Sequence, residues 1–205
     1  MTERRRIKTT DWREVITPER RLIMGIDPGM NGGLAVTETG PNAIMLVKRM
    51  PEGNDELWAW LRQHIADPSN VSVYIEAVHA YAMGVAGAFK FGVGYGRLLA
   101  FMTALDIIPV KVQPATWQRA MNIPTTRKPV PVDFRKQDGS TRTTKAVKAL
   151  LQAEHKEDIR KRAQELMPDL DVWQKTKKEQ MAVCDALLIT YYGVVTNGGI
   201  NSAAM

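Results

Sequence analysis

Residues 21–39 read RLIMGIDPGMNGGLAVTET, two apolar, β-prone runs broken by Pro28-Gly29. Arg21–Asp27 forms the first run and Gly33–Thr39 the second, and Gly40-Pro41 separates them from a third at Ala43–Met50. The alternation of apolar runs with Gly and Pro punctuation predicts three strands joined by tight turns, a meander. Asp27 stands where the first of these strands meets its turn.

Further along, Leu57, Trp58, Trp60, Leu61 and Ile65 recur at helical spacing within Glu52–Ala66, and Asp67-Pro68-Ser69-Asn70 closes that helix. Val71–Val78 (VSVYIEAV) reads as a buried strand holding one acid, Glu76. Gly84–Leu105 is apolar and rich in Gly and Ala; it predicts a helix that Gly92, Gly94 and Gly96 each weaken by about 1 kcal/mol relative to Ala. Ile107–Val112 predicts a fifth strand, Thr116–Met121 a short helix, Thr144–Met167 a long one and Lys178–Tyr192 the last. Pro124–Thr144 is polar, carries Pro129 and Pro131, and reads as a mobile excursion. The order of elements is that of an α/β domain, a mixed five-stranded sheet with helices on both faces. The expected organisation is a basic N-terminal arm over 1–20, one domain over 21–193 built on one sizeable core, and a flexible C-terminal tail over 194–205.

Composition narrows the partners. Among 205 residues, 28 Lys and Arg face 22 Asp and Glu, a net charge of +6. Counterion release rewards basic side chains placed on phosphates, so a polyanionic partner is favoured. The single Cys184 excludes an internal disulfide framework and a four-thiolate zinc site. Apolar runs fall short of the roughly 18 residues that a membrane span needs, and no apolar stretch follows the charged N-terminus as in a signal peptide. A cytoplasmic location without membrane contact is expected.

Asp27 and Glu76 lie on elements otherwise made of core residues, and Asp185 interrupts the apolar run AVCDALLIT. Burying an ionised carboxylate is costly unless a cation or donors compensate it. Taken singly, each acid reads as a partnered structural carboxylate or a helix cap. Three acids on two strands and one helix can also converge on a divalent cation, since Mg²⁺ prefers oxygen ligands.

Several stretches together resemble one family. GIDPGMNGGLAV at 25–36, YIEAV at 74–78, FKFGVGYGRLLAFMTALDIIPVKVQPATWQRAM at 89–121, KEDIRKRAQELMP at 156–168 and CDALLIT at 184–190 are similar to the RuvC-type Holliday-junction resolvases, above all the variants of phages and their bacterial relatives. The likeness runs in order over roughly residues 22–193. It implies an RNase H-like fold, a homodimer, Mg²⁺ or Mn²⁺ with two ions per active site, and paired symmetric nicks in four-way DNA junctions. By position, Asp27 resembles the family's first-strand metal-bridging acid, Glu76 the acid of the fourth strand and Asp185 the acid of the last helix. One departure stands out, since the family carries a further Asp or His three residues before the last acid and this chain has Ala182. Glu179 and Gln180 are nearby but at the wrong spacing for the same helix face.

The basic residues follow a pattern of their own. Arg127, Lys128, Arg135, Lys136, Arg142, Lys145 and Lys148 make 127–148 the densest basic stretch outside the arm. Either a solvated loop or a phosphate-contacting surface accounts for them, and such contacts position DNA without reading its sequence. The resemblance adds Lys156 or Lys148 beside the scissile phosphate, and His79 and Tyr81 as flat side chains placed to wedge into a junction. Gly84, Gly87, Ala88, Gly92 and Gly96 recur at three- and four-residue steps, which suits a close two-fold contact between two copies of the helix 84–105. Phe89, Phe91, Tyr95 and Phe101 read as core or dimer contacts, and Trp117 as a buried anchor.

Other readings weigh less. Gly92, Gly94 and Gly96 lack the spacing and the preceding strand of a dinucleotide loop. The G-I-D-x-G strand also opens actin-like sugar kinases, whose duplicated domains need a longer chain. A YqgF-like RNA-processing nuclease shares the expected fold but usually lacks the 89–121 block, and a junction-binding protein with weak or no cleavage is the reading that Ala182 favours.

Overall fold

The computed structural model describes residues 21–40, 43–77 and 84–197. Its sheet has five strands: β1 (Leu22–Asp27), β2 (Gly33–Glu38), β3 (Met45–Arg49), β4 (Val71–Glu76) and β5 (Val110–Val112). Their order across the sheet is β3-β2-β1-β4-β5. The first three strands pair antiparallel as the expected meander, and β4 and β5 run parallel to β1. The fifth strand is shorter than the sequence predicts, because Pro109 has no N–H to offer a ladder.

Five helices cover the two faces: α1 (Asn54–His64), α2 (Val85–Ala104), α3 (Pro114–Ala120), α4 (Thr144–Leu166) and α5 (Lys177–Asn197). The period-2 alternation of the strands divides the apolar residues into two layers. Met24, Ile26, Leu34, Val36, Val73 and Ile75 face α1 and α2, where Leu57, Leu61, Leu98 and Met102 are buried against them. Ile23, Ala35, Tyr74 and Val112 face the opposite way, toward Trp117 of α3, Ile159 and Ala163 of α4 and the buried side of α5. The single core expected from the chain length is thus two clusters sharing one sheet.

Helix α5 lies close against β1 because glycines make room for it. A Cβ on Gly25 would fall on the Thr190 backbone nitrogen and hydroxyl and 2.6 Å from the Ala186 carbonyl. A Cβ on Gly193 would lie 2.7 Å from Ile23 Cγ2 and from the Tyr74 ring. The buried Thr190 hydroxyl sits 3.1 Å from the Ala35 carbonyl of β2 and 2.8 Å from that of Ala186, so it ties helix to sheet. The helix continues through Asn197, past the expected boundary at 193. Val194 and Val195 are buried there, and Asn197 Nδ2 donates to the Tyr74 hydroxyl at 2.7 Å.

The long helix α4 changes its buried face midway. Val147 and Leu151 are buried in its first half, Ile159 and Ala163 in its second, and at 100° per residue these pairs point about 120° apart. Arg162 Nε donates to the Met121 carbonyl beyond α3, and Arg160 donates to both Glu157 and Gln180 of α5. The lower half of α4 is thereby fixed to α3 and α5.

The excursion expected over 124–144 has internal order. Pro131–Phe134 forms a 3-10 turn, Arg135 and Thr141 pair in an isolated antiparallel bridge, and Asp138 accepts from the Ser140 N–H and hydroxyl. Among the described residues no helix is long and apolar enough to cross a membrane.

Candidate functional site

Asp27 and Glu76 end adjacent parallel strands. The register Ile26↔Ile75 puts the next pair, Asp27 and Glu76, side by side, and neighbouring strands lie about 4.8 Å apart. Both residues share the strand face of Ile23 and Tyr74, which is the face that α5 covers. Asp185 comes from α5, one residue before Ala186, whose carbonyl abuts Gly25. Two strand ends and one helix thus bring three half-buried acids to one end of the sheet.

The turn after β1 is shaped around Asp27. Its Oδ1 accepts the Gly29 N–H at 3.0 Å, and the Gly32 N–H closes the turn on the Gly29 carbonyl at 2.9 Å. A Cβ on Gly32 would lie 2.5 Å from Asp27 Cγ and 2.6 Å from Oδ2, so only glycine leaves that carboxylate its place. Glu76 Oε1 accepts the indole N–H of Trp117 at 3.1 Å. Trp117 is fully buried, and a buried indole needs an acceptor. The sequence identified it as an anchor; its bond to an acid was not legible from spacing 41 residues apart.

Burial, followed by mutual repulsion, governs the acids' ionisation. Burial raises the Asp27 carboxyl above its ordinary value, against the Gly29 N–H and the charge of Lys156, which pull it down. Glu76 is pushed up to about 7 by burial and by the charge of Asp27, with Trp117 and Lys156 opposing. Burial lifts Asp185 well above its ordinary range, the charges of Asp27 and Glu76 adding to it. The field of exposed Lys156 reaches all three acids. Lys156 precedes Ile159 and Ala163 on one helical stripe, the stripe that packs toward α5, so its side chain continues that face toward the acids.

The donor set is chemically one-sided: three oxygen-bearing acids, short of positive charge, with repulsion that an added cation would relieve. That is the donor chemistry of a hard divalent ion. Among the described residues no three His, Cys, Asp or Glu side chains already converge tightly enough to hold one as they stand. Ala182 is buried one turn before Asp185, with its carbonyl 2.9 Å from where a Cβ of Gly33 would be. Glu179 is engaged elsewhere, since its Oε2 accepts from the Thr176 N–H at 3.0 Å and hydroxyl at 2.7 Å as a cap of α5. Gln180 donates to the carbonyls of Trp173 and Lys175.

The basic candidates separate into two groups. Arg127 forks onto both oxygens of buried Asp133, and Arg142 donates to the carbonyls of Asp133 and Arg135, so these two knit the excursion together. Arg127 and a backbone N–H hold the Asp133 carboxyl down at about 2. Lys128, Arg135, Lys136, Lys145, Lys148 and Lys156 are exposed. His79 and Tyr81 lie outside the described residues, as does the arm over 1–20.

Helix α2 presents Val85, Phe89 and Val93 to solvent at four-residue steps, Phe89 being 73 % exposed. Nothing lies within 4 Å of a Cβ built on Gly92, Gly94 or Gly96. Phe101 and Tyr95, in contrast, pack against the core beneath α2.

No family model matches the chain, and no curated protein does. Solved structures do. A Thermus thermophilus RuvC in complex with a Holliday junction substrate superposes with a TM-score of 0.50 at 15 % identity, over 87 % of this chain and 96 % of that one. A second Thermus thermophilus RuvC structure gives 0.49 at 17 % identity over the same shares. At these identities the likeness concerns architecture alone: the chain has a RuvC-like, RNase H-like fold, a mixed five-stranded sheet with helices on both faces.

Proposed function

We propose that the chain is a structure-selective DNA endonuclease that resolves four-way junctions by paired, metal-dependent nicks. The observation that supports this reading is that Asp27, Glu76 and Asp185, on the strands and helix named above, lie within one another's electrostatic reach and that of Lys156. The RuvC-like fold supports it, because the solved neighbour holds a Holliday junction substrate.

The chain's own residues set up the chemistry. Trp117 and the Gly29 N–H orient Glu76 and Asp27 by one hydrogen bond each. Lys156 offers an ammonium to a phosphate drawn toward the acids. Mg²⁺ or Mn²⁺, two ions per site on Asp27, Glu76 and Asp185, would lower the pKa of an attacking water and neutralise the leaving 3′ oxygen during in-line displacement at phosphorus. Exposed Lys145 and Lys148, with Lys128, Arg135 and Lys136 of the excursion, supply phosphate contacts.

Paired nicks need two active sites. The exposed apolar stripe Val85, Phe89 and Val93, beside glycines open to solvent, suits a close two-fold contact with a second copy of α2. A two-fold dimer matches the symmetry of a four-way junction. The work then belongs in the bacterial cytoplasm, where such DNA is found.

Ala182 favours a second reading, junction binding with weak or no cleavage, because no carboxylate or imidazole occupies that turn of α5. Competition decides the substrate class: unlabelled four-way DNA, linear duplex and structured RNA are titrated against a labelled junction. Displacement by four-way DNA at far lower concentration than by linear duplex supports the proposal, and displacement by structured RNA redirects it to RNA processing.

A further inference from the structure

The excursion between α3 and α4 is pre-organised in a way that a solvated loop does not require. Asp133 is buried, and all its strong partners come from the excursion: the Arg127 guanidinium on both oxygens and the Val130 N–H at 2.8 Å. Arg142 binds the carbonyls on either side of Phe134, and the Arg135–Thr141 bridge closes the base. Arg127 also approaches Glu154 of α4 at 3.9 Å. These bonds hold out two apolar side chains, Val130 at 45 % and Val132 at 69 % exposure, on either side of Pro131. Exposed Lys128, Arg135 and Lys136 flank them, while both aspartates of the loop are spent internally, Asp133 as above and Asp138 on Ser140.

A rigid apolar tip between unspent basic side chains fits the minor groove of duplex DNA, where Lys and Arg bind along the groove and apolar side chains wedge against the base steps. A protein partner would suit Val130 and Val132 alone but leaves the flanking cations without a role. The path to the acids also suits DNA. Lys145, Lys148, Gln152 and Lys156 fall within about 80° of one another around α4, one exposed stripe from the excursion to the acid cleft. Lys145 to Lys156 spans about 16 Å at 1.5 Å per residue, or about five base pairs at 3.4 Å each.

We infer that the 124–142 excursion is an arm clamp: it seats Val130, Pro131 and Val132 in the minor groove of one duplex arm, about five base pairs from the phosphate at the acid cleft. The inference rests on the nuclease reading above and adds a second contact region, one that also binds unbranched duplex.

Hydroxyl-radical footprinting of a four-way junction and salt titration of linear-duplex binding test it, with wild type compared against Lys128→Ala/Arg135→Ala/Lys136→Ala and against Val130→Ser/Val132→Ser. All five positions are on the surface, so circular dichroism serves as a check on folding. The expected wild-type footprint has a minor-groove patch about five base pairs from the crossover, and both variants lose that patch while keeping protection at the crossover. The charge variant's salt slope on linear duplex becomes shallower by about 0.9 for each phosphate it no longer neutralises. A wild type that protects the crossover alone, or variants with unchanged footprint and slope, overturns the clamp and leaves the nuclease reading standing. A wild type that protects no DNA overturns both.

Discussion

Trp117 Nε1 donates to Glu76 Oε1 at 3.1 Å, joining the most buried ring of α3 to an acid at the end of β4. The bond stabilises the ionised carboxylate, yet Glu76 still sits near 7. Replacing Trp117 by Phe keeps most of the packing and removes the donor. Glu76 then moves further up, and its charge is lost over more of the neutral range. The expected result is a nicking profile displaced to higher pH with metal affinity reduced about 10–100-fold, the usual cost of an outer-shell partner. An unchanged pH profile with a lower Tm would reduce Trp117 to packing.

Stability of the metal-free chain should fall as pH rises from about 4.5 to about 7. In that window the unfolded Glu76 has ionised while the folded one still holds its proton, and the raised Asp27 and Asp185 act in the same direction. Asp133 and Glu157, both held near 2, contribute stability that disappears only below their ordinary values, so they leave the window undisturbed. Thermal unfolding in EDTA at pH 5 and pH 8 measures this. Mn²⁺ should raise Tm at pH 8 far more than at pH 5, because it binds the ionised acids. Equal Tm values and no response to Mn²⁺ would count against a cation site.

Asp27→Asn, Glu76→Gln and Asp185→Asn should each abolish detectable nicking and leave junction binding nearly intact. Each removes a charge that repels both its neighbours and phosphate. For Asp185→Asn in EDTA, Tm should hold or rise, since the amide has no ionised form for burial and the charges of Asp27 and Glu76 to disfavour. A collapse of folding in all three would make the acids structural.

Gly32→Ala places a methyl group on the Asp27 carboxylate. Nicking and the Mn²⁺-induced rise in Tm should be lost together while the sheet survives. Gly25→Ala acts on the fold instead, because its Cβ meets the backbone of α5. Overpacking of that kind costs about 1–3 kcal/mol, so a clear fall in Tm is expected in EDTA and in Mn²⁺ alike. Retention of metal response in Gly32→Ala would show that the turn adapts.

The meander, the fourth strand and the helices were legible because apolar runs of period 2 and 3.6 alternate with Gly and Pro along the chain, whereas the parallel pairing of β4 with β1 was not. The three acids stood out because each lies within or at the end of such a run. What spacing hides is contact across the chain. Trp117 and Glu76 are brought together only by the pairing of β4 with β5, and the single core expected from length becomes two because the sheet is covered twice. The excursion reads as a polar loop, since nothing in PTTRKPVPVDF announces that Arg127 and Asp133 will close on each other six residues apart. The last helix runs on past Tyr192, where it was expected to end, because Gly193 is a point of close approach to Ile23 and Tyr74 and Val194 and Val195 are buried beyond it.

Junction resolution by the three acids is tested most directly by mapping nicks on an end-labelled four-way junction, beside linear duplex of the same sequence, with the purified chain in Mg²⁺, Mn²⁺ or EDTA. Nicks are expected at opposed positions on two strands of the junction, in either metal, with none in EDTA and none on duplex. Tight junction binding with intact strands in both metals would contradict cleavage, and Ala182→Asp would then show whether a fourth acid restores the cut.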